Sequence, residues 1–158
     1  MKKLAVIFSI VIVVIVILSF GPNQATGAYL PANNDSLEKD RAKYVKLVNE
    51  RIKGKEKMAV DSVFLNLKVL GGFPAENLVV AMNSWSRALG VSCGHCHDTG
   101  NFADDKNLKK EIAREMVTMG NMISTKLKSI NGISKRPIVN CTTCHRGELK
   151  PAFRLTEK

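Results

Sequence analysis

Cys93-Gly94-His95-Cys96-His97 and Cys141-Thr142-Thr143-Cys144-His145 place one pattern, Cys-x-x-Cys-His, twice in a chain of 158 residues. This repeat restricts the possible folds more than any other feature. Two thiols at that spacing can add across the two vinyl groups of one porphyrin, and the histidine that follows is carried beneath the iron as its proximal ligand. The pattern therefore reads as two covalently bound haem c groups, attached through Cys93 and Cys96 and through Cys141 and Cys144, with His97 and His145 on the irons. The chain has four cysteines and the two motifs use them all, which leaves none for a structural disulfide or a free thiol.

The remaining sequence is arranged around the motifs. Met1, Lys2 and Lys3 precede Leu4 to Phe20, an aliphatic run broken only by Ser9 and Ser19. Residues 1–28 thus read as an export signal or an N-terminal membrane anchor, with Lys2 and Lys3 kept in the cytoplasm and the rest sent outward. This places the protein in the periplasm or on the outer face of the cytoplasmic membrane, the compartment where c-type haem is attached. Residues 29–61 are expected to form a tether rich in turn residues, followed by a basic helix from Ser36 to about Lys57 with Leu37, Tyr44, Val48 and Ile52 on one side.

Residues 62–158 are expected to form the cytochrome domain. Val63 to Leu70 alternates partly but has no second strand to pair with, so it reads as an extended lead-in. Gly71-Gly72 turns the chain, Pro74 suits the start of a helix, and Gly90 closes that helix after Leu89. Its apolar face carries Leu78, Val79, Met82, Trp85 and Leu89. A polar loop follows the first motif, with Asp104 or Asp105 as the expected cap of a helix from about Lys106 to Ile130. The apolar stripe of that helix is Leu108, Ile112, Met116, Met119, Ile123, Leu127 and Ile130, and it is expected to face inward. The fold class that results is all-α, with two pseudo-repeated units of helix, turn and Cys-x-x-Cys-His and little or no β-sheet.

The distal ligands follow in part by elimination. The chain has three histidines, and His95, pinned between two thioether cysteines, is poorly placed to reach the far side of its own iron. Methionine is the remaining common distal ligand. Met82 is the only methionine on its helix, lies at the centre of the apolar face, and precedes Cys93 by eleven residues. On the next helix Met116 and Met119 lie almost equally close to the centre of the stripe, and periodicity does not separate them. Met122 lies near the edge of that stripe, and Met58 reads as a packing residue.

The segment from Phe64 to Pro151 resembles the haem-binding repeats of the cytochrome subunit of photosynthetic reaction centres, and the short two-motif cytochromes related to it. The matching runs are Asn66-Leu67-Lys68-Val69-Leu70, Leu89-Gly90-Val91-Ser92-Cys93, Phe102-Ala103-Asp104-Asp105, Ala113-Arg114-Glu115-Met116 and Cys144-His145-Arg146-Gly147. The resemblance implies a distal methionine on the helix before each motif. That is Met82 for the first haem and, by the family's spacing, Met119 for the second, with Met116 as the fallback. It also implies a local pseudo-twofold relation between two haems close enough for fast electron exchange. The photosynthetic subunit carries four haems, whereas this sequence has motifs for two.

Met/His coordination raises the haem potential and closes both axial positions, so the expected function is one-electron transfer between partner proteins and not an enzymatic reaction. The competing enzyme reading, a dihaem peroxidase or reductase, needs one open iron and acid-base groups beside it, and the sequence has no spare histidine for that role. A zinc site built from the four cysteines fits poorly with the long gap between the pairs. The net charge of +10 points to partners with acidic docking surfaces, and to the membrane through the N-terminal segment if that segment is retained. Nucleic acid is not expected as a partner, because the sequence has neither a dense basic stripe with interleaved aromatics nor zinc-finger spacing.

Overall fold

The computed structural model describes residues 35–133 and 137–152. The expected export segment and the tether before residue 35 lie outside the described residues. Five α-helices are present among them: α1 (Asp35–Arg51), α2 (Val60–Val63), α3 (Ala75–Leu89), α4 (Leu108–Lys128) and α5 (Cys141–His145). A 3₁₀ turn, Cys93–His95, opens the first motif. The described residues contain no β-strand, and their one β-bridge pairs Ala59 with Pro74. The all-α expectation holds.

The basic helix α1 stops at Arg51, six residues short of the expected end at Lys57. Gly54 sits at φ +79°, a conformation an α-helix cannot contain, and the Lys55 amide instead closes a turn on the Ile52 carbonyl at 2.7 Å. The expected lead-in from Val63 begins as the last residue of the single turn α2, then runs irregularly with Asn66 and Leu70 at positive φ. Pro74 precedes α3 as its N-cap, and Gly90 at φ +64° ends it, donating its amide to the Arg87 carbonyl at 3.2 Å.

Helix α3 is the hub on which α1, α2 and α5 pack. The core is small: Ile52, Ala75 and Val79 are buried together, with Val45, Val48, Val63 and Phe64 packed around them. Val60, Leu78 and Ala88 are also buried.

Helix α4 behaves differently. It is capped by Asn107, whose side chain accepts from the Lys109 amide at 3.1 Å, and not by Asp104 or Asp105. The residue immediately before the first helical position is the one whose side chain reaches the free amides, and that residue is Asn107. The polypeptide's own residues leave the expected stripe largely uncovered. Leu108, Ile112, Met116, Met119, Ile123 and Ile130 are all exposed, while Arg114 is the helix's buried residue. On the covered side of α4, Arg114 joins a polar cluster. Its guanidinium bonds Asp105 at 2.9 Å, Glu111 at 2.6 Å and the Asn66 carbonyl at 3.3 Å.

Candidate functional site

The first motif is held from three directions. From behind, the C-cap at Gly90 directs the chain into extended Ser92, and the Val91 carbonyl accepts from the Ser86 hydroxyl at 2.6 Å and from Arg41 at 3.0 Å. From α1, the Asp40 carboxylate accepts from the Cys93 amide at 2.9 Å. From α4, the Asn107 amide group donates to the His95 carbonyl at 2.9 Å, so the residue that starts α4 also fixes the middle of the motif. Arg41 is buried and bonds Glu38 at 3.0 Å, while its Nε has no partner.

Beside this motif lies a cavity of about 420 Å³, within the ~300–1,000 Å³ range of cofactor sites. Its wall includes Cys93, Cys96 and His97 of the motif and Leu78, Val79, Met82 and Trp85 on α3. The structure therefore brings together Met82 and the three residues of the first motif named from the sequence. Burial pushes the Cys93 thiol up, the Asp40 carboxylate adds to that shift, and burial does the same to Cys96.

His97 is oriented by its ring. Nδ1 lies 3.2 Å from the Phe102 carbonyl oxygen. A carbonyl only accepts, so Nδ1 carries the proton and Nε2 keeps the lone pair that can bind a metal. Burial pushes the His97 pKa down, which favours this neutral form, with the Phe102 bond opposing. The Phe102 ring packs against the His97 ring, with centroids 5.3 Å apart, and edge-on against Tyr44 at 5.9 Å.

The second motif follows the same plan on a different element. Asn140 caps α5 reciprocally: its side chain accepts from the Thr143 amide at 3.2 Å, and the Thr143 hydroxyl accepts from the Asn140 amide at 3.1 Å. His145 Nδ1 lies 3.1 Å from the Glu148 carbonyl, so this imidazole too is left with Nε2 as its lone-pair nitrogen. The motif is tied to the first half by the Gly147 amide, which donates to Ala88 at 2.8 Å. Burial raises the Cys141 thiol, and Cys144 is exposed. Neither Met116 nor Met119 lines the first cavity, and both are 47% exposed, so exposure does not separate them. Among the described residues, no group of three or more His, Cys, Asp or Glu side chains converges to hold a metal ion by itself.

Asp40, Arg41, Phe102, Asn107 and Lys110 shape the site without having been candidates. Only Phe102 carried a local signal, through the loop run in which it stands.

A helical domain with two Cys-x-x-Cys-His motifs, each with paired thiols and an imidazole oriented by a backbone carbonyl, is a c-type cytochrome. Comparison with known proteins narrows this. The family described as photosynthetic reaction centre cytochrome C subunit matches residues 22–156, and the chain belongs to that family. It is 32% identical over 105 residues to the photosynthetic reaction center cytochrome c subunit of Roseobacter denitrificans, a match covering 63% of this chain and 28% of the relative. It is 32% identical over 82 residues to cytochrome c-554 of Chloroflexus aurantiacus, covering 51% of this chain and 20% of the relative. The matched stretch thus spans less than a third of either relative. Membership implies covalently bound haem c and electron transfer.

Proposed function

We propose that this protein is a dihaem electron carrier working outside the cytoplasmic membrane. Cys93 and Cys96 hold the first haem, with His97 as proximal and Met82 as distal ligand. Cys141, Cys144 and His145 hold the second, whose distal ligand is Met119, with Met116 as the fallback. Haem c held between a histidine and a methionine supplies one-electron chemistry at a raised potential with no open axial position. The observation that carries the reading is the matched pair of Nδ1–carbonyl bonds, His97 to Phe102 at 3.2 Å and His145 to Glu148 at 3.1 Å. Two histidines on different elements, each following a pair of cysteines, present the same nitrogen for ligation.

The chain's residues account for the rest of the reading. Leu78, Val79 and Trp85 line the first cavity with apolar surface. The exposed stripe of α4, Leu108, Ile112, Met116, Met119 and Ile123, is apolar surface of the kind a second porphyrin covers. The basic surface favours donor and acceptor proteins with acidic docking faces. Residues 1–28 serve as export signal or anchor, which puts the protein in the periplasm or on the outer face of the cytoplasmic membrane.

The test is expression in a host with export and haem-attachment machinery. The expected product is red, carries two haems per chain by intact mass, and keeps them through acid-organic extraction. Replacing Cys93 and Cys96 by Ala removes one, and replacing Cys141 and Cys144 removes the other. A colourless product, or a single haem, refutes the proposal. Ready binding of carbon monoxide by the reduced protein would instead favour the open-site peroxidase or reductase.

A further inference from the structure

The Phe102 carbonyl serves two donors. It accepts from His97 Nδ1 at 3.2 Å and from the Lys110 ammonium at 3.0 Å. Lys110 is fixed there by the Ala103 carbonyl at 3.1 Å, the Asp104 carbonyl at 3.0 Å and the Asp105 carboxylate at 3.0 Å. Its side chain is only 12% exposed, so the ammonium is screened little by water. At the second site the Glu148 carbonyl accepts from His145, and among the described residues no lysine or arginine donates to it.

We infer that Lys110 is a positioning residue that raises the potential of the first haem relative to the second, by loading the carbonyl that orients the proximal histidine. This rests on the reading of His97 as that ligand. A carbonyl oxygen has two lone pairs. When a cation occupies one, the oxygen draws less on the imidazole N–H at the other. The imidazole then carries less negative character and stabilises the oxidised, more positive iron less. The reduced state gains by comparison. The transfer itself is of one electron, supplied by the partner donor and passed to the partner acceptor, with no bond made or broken in the protein.

The surrounding charges provide the control. Lys68 belongs to the same network, bonding Asp105 at 3.1 Å and Glu111 at 3.5 Å, but it does not touch the carbonyl. Lys68 is 52% exposed, so a pure charge effect would show with it in weakened form, whereas loading of the carbonyl needs Lys110.

The experiment is an optical redox titration of the full holoprotein and of Lys110→Met, Lys110→Gln and Lys68→Met. Both Lys110 variants are expected to lower one of the two midpoint potentials, the one that Met82→Ala also moves, and to leave the other unchanged. Solvent exchange of the His97 ring N–H, followed by NMR in the reduced protein, is expected to slow as its bond to the freed carbonyl strengthens. Lys68→Met should leave both midpoints in place. An unchanged potential in the Lys110 variants overturns the inference, and so does an equal drop in Lys68→Met. Lys110→Gln retains a neutral donor and keeps the test available if Lys110→Met does not mature. A wild-type protein with fewer than two haems would instead defeat the functional reading, and that result is obtained before any Lys110 variant is made.

Discussion

Gly90→Ala tests how the two halves of the domain are joined. Gly90 ends α3 at φ +64°, where an L side chain costs about 1–2 kcal/mol. A Cβ built there would overlap the Gly147 carbonyl oxygen and lie 2.9 Å from its carbon. The chain just after the second motif must then move away, which strains the 2.8 Å bond from the Gly147 amide to Ala88. Losing that bond costs a further ~0.5–1.5 kcal/mol, giving a total of about 1.5–3.5 kcal/mol. Against a stability of about 5–15 kcal/mol this is large, and it corresponds to a fall in Tm on the order of 10 °C. Gly72→Ala separates the two contributions, because Gly72 sits at φ +85° with nothing within 4 Å of its added Cβ. It should cost the backbone penalty alone, about 1–2 kcal/mol. Thermal and denaturant unfolding of both holoproteins, followed by far-UV circular dichroism, gives the comparison. If Gly90→Ala is no more damaging than Gly72→Ala, the contact with Gly147 does not hold the second motif in place.

Further outcomes concern the ligands and the charge network. Met82→Ala and Met119→Ala should each remove the far-red methionine-to-iron charge-transfer band of one ferric haem; a band that survives Met119→Ala but not Met116→Ala transfers the role to Met116. Arg114, then Asn66 and Lys110, hold the Asp105 carboxyl well below the usual carboxylate range. The folded state thus favours ionised Asp105, and its contribution to stability is complete above the unfolded value of about 3.9 and lost as pH falls below it. The stability gap between wild type and Asp105→Asn, measured by urea unfolding, should therefore stay constant from pH 7 to about pH 5 and shrink below about pH 4. A gap that persists unchanged to pH 3 would contradict the assigned role of the carboxylate.

Features encoded by neighbouring residues could be read from the sequence. The Cys-x-x-Cys-His runs, Pro74 before α3 and Gly90 after it are of this kind, because thioether spacing and a left-handed cap are local requirements. Periodicity also found the apolar stripe of α4 correctly as a set. It gave the relative phase of those residues but not the buried Arg114 on the same helix, whose partners Asp105 and Asn66 lie in other segments. Asp40, Arg41 and Lys110 were not found, since a lysine or aspartate on a charged helix looks the same whether it faces water or a carbonyl. Asp40 lies 53 residues from the Cys93 amide it accepts from, and no local pattern marks such a pairing.

The small size of the aliphatic core bears on how the cell handles this chain. Among the described residues only Ile52 and Val60 are large side chains that are fully buried, and the buried apolar set adds just Ala75, Leu78, Val79 and Ala88. A polypeptide with so little apolar surface of its own to bury has a shallow free-energy well, and opens often enough for proteases to find it. Haem attachment is then also a checkpoint for survival: a chain that misses it is expected to be degraded, so the amount of this cytochrome in the cell follows the supply of haem more closely than the rate of its synthesis.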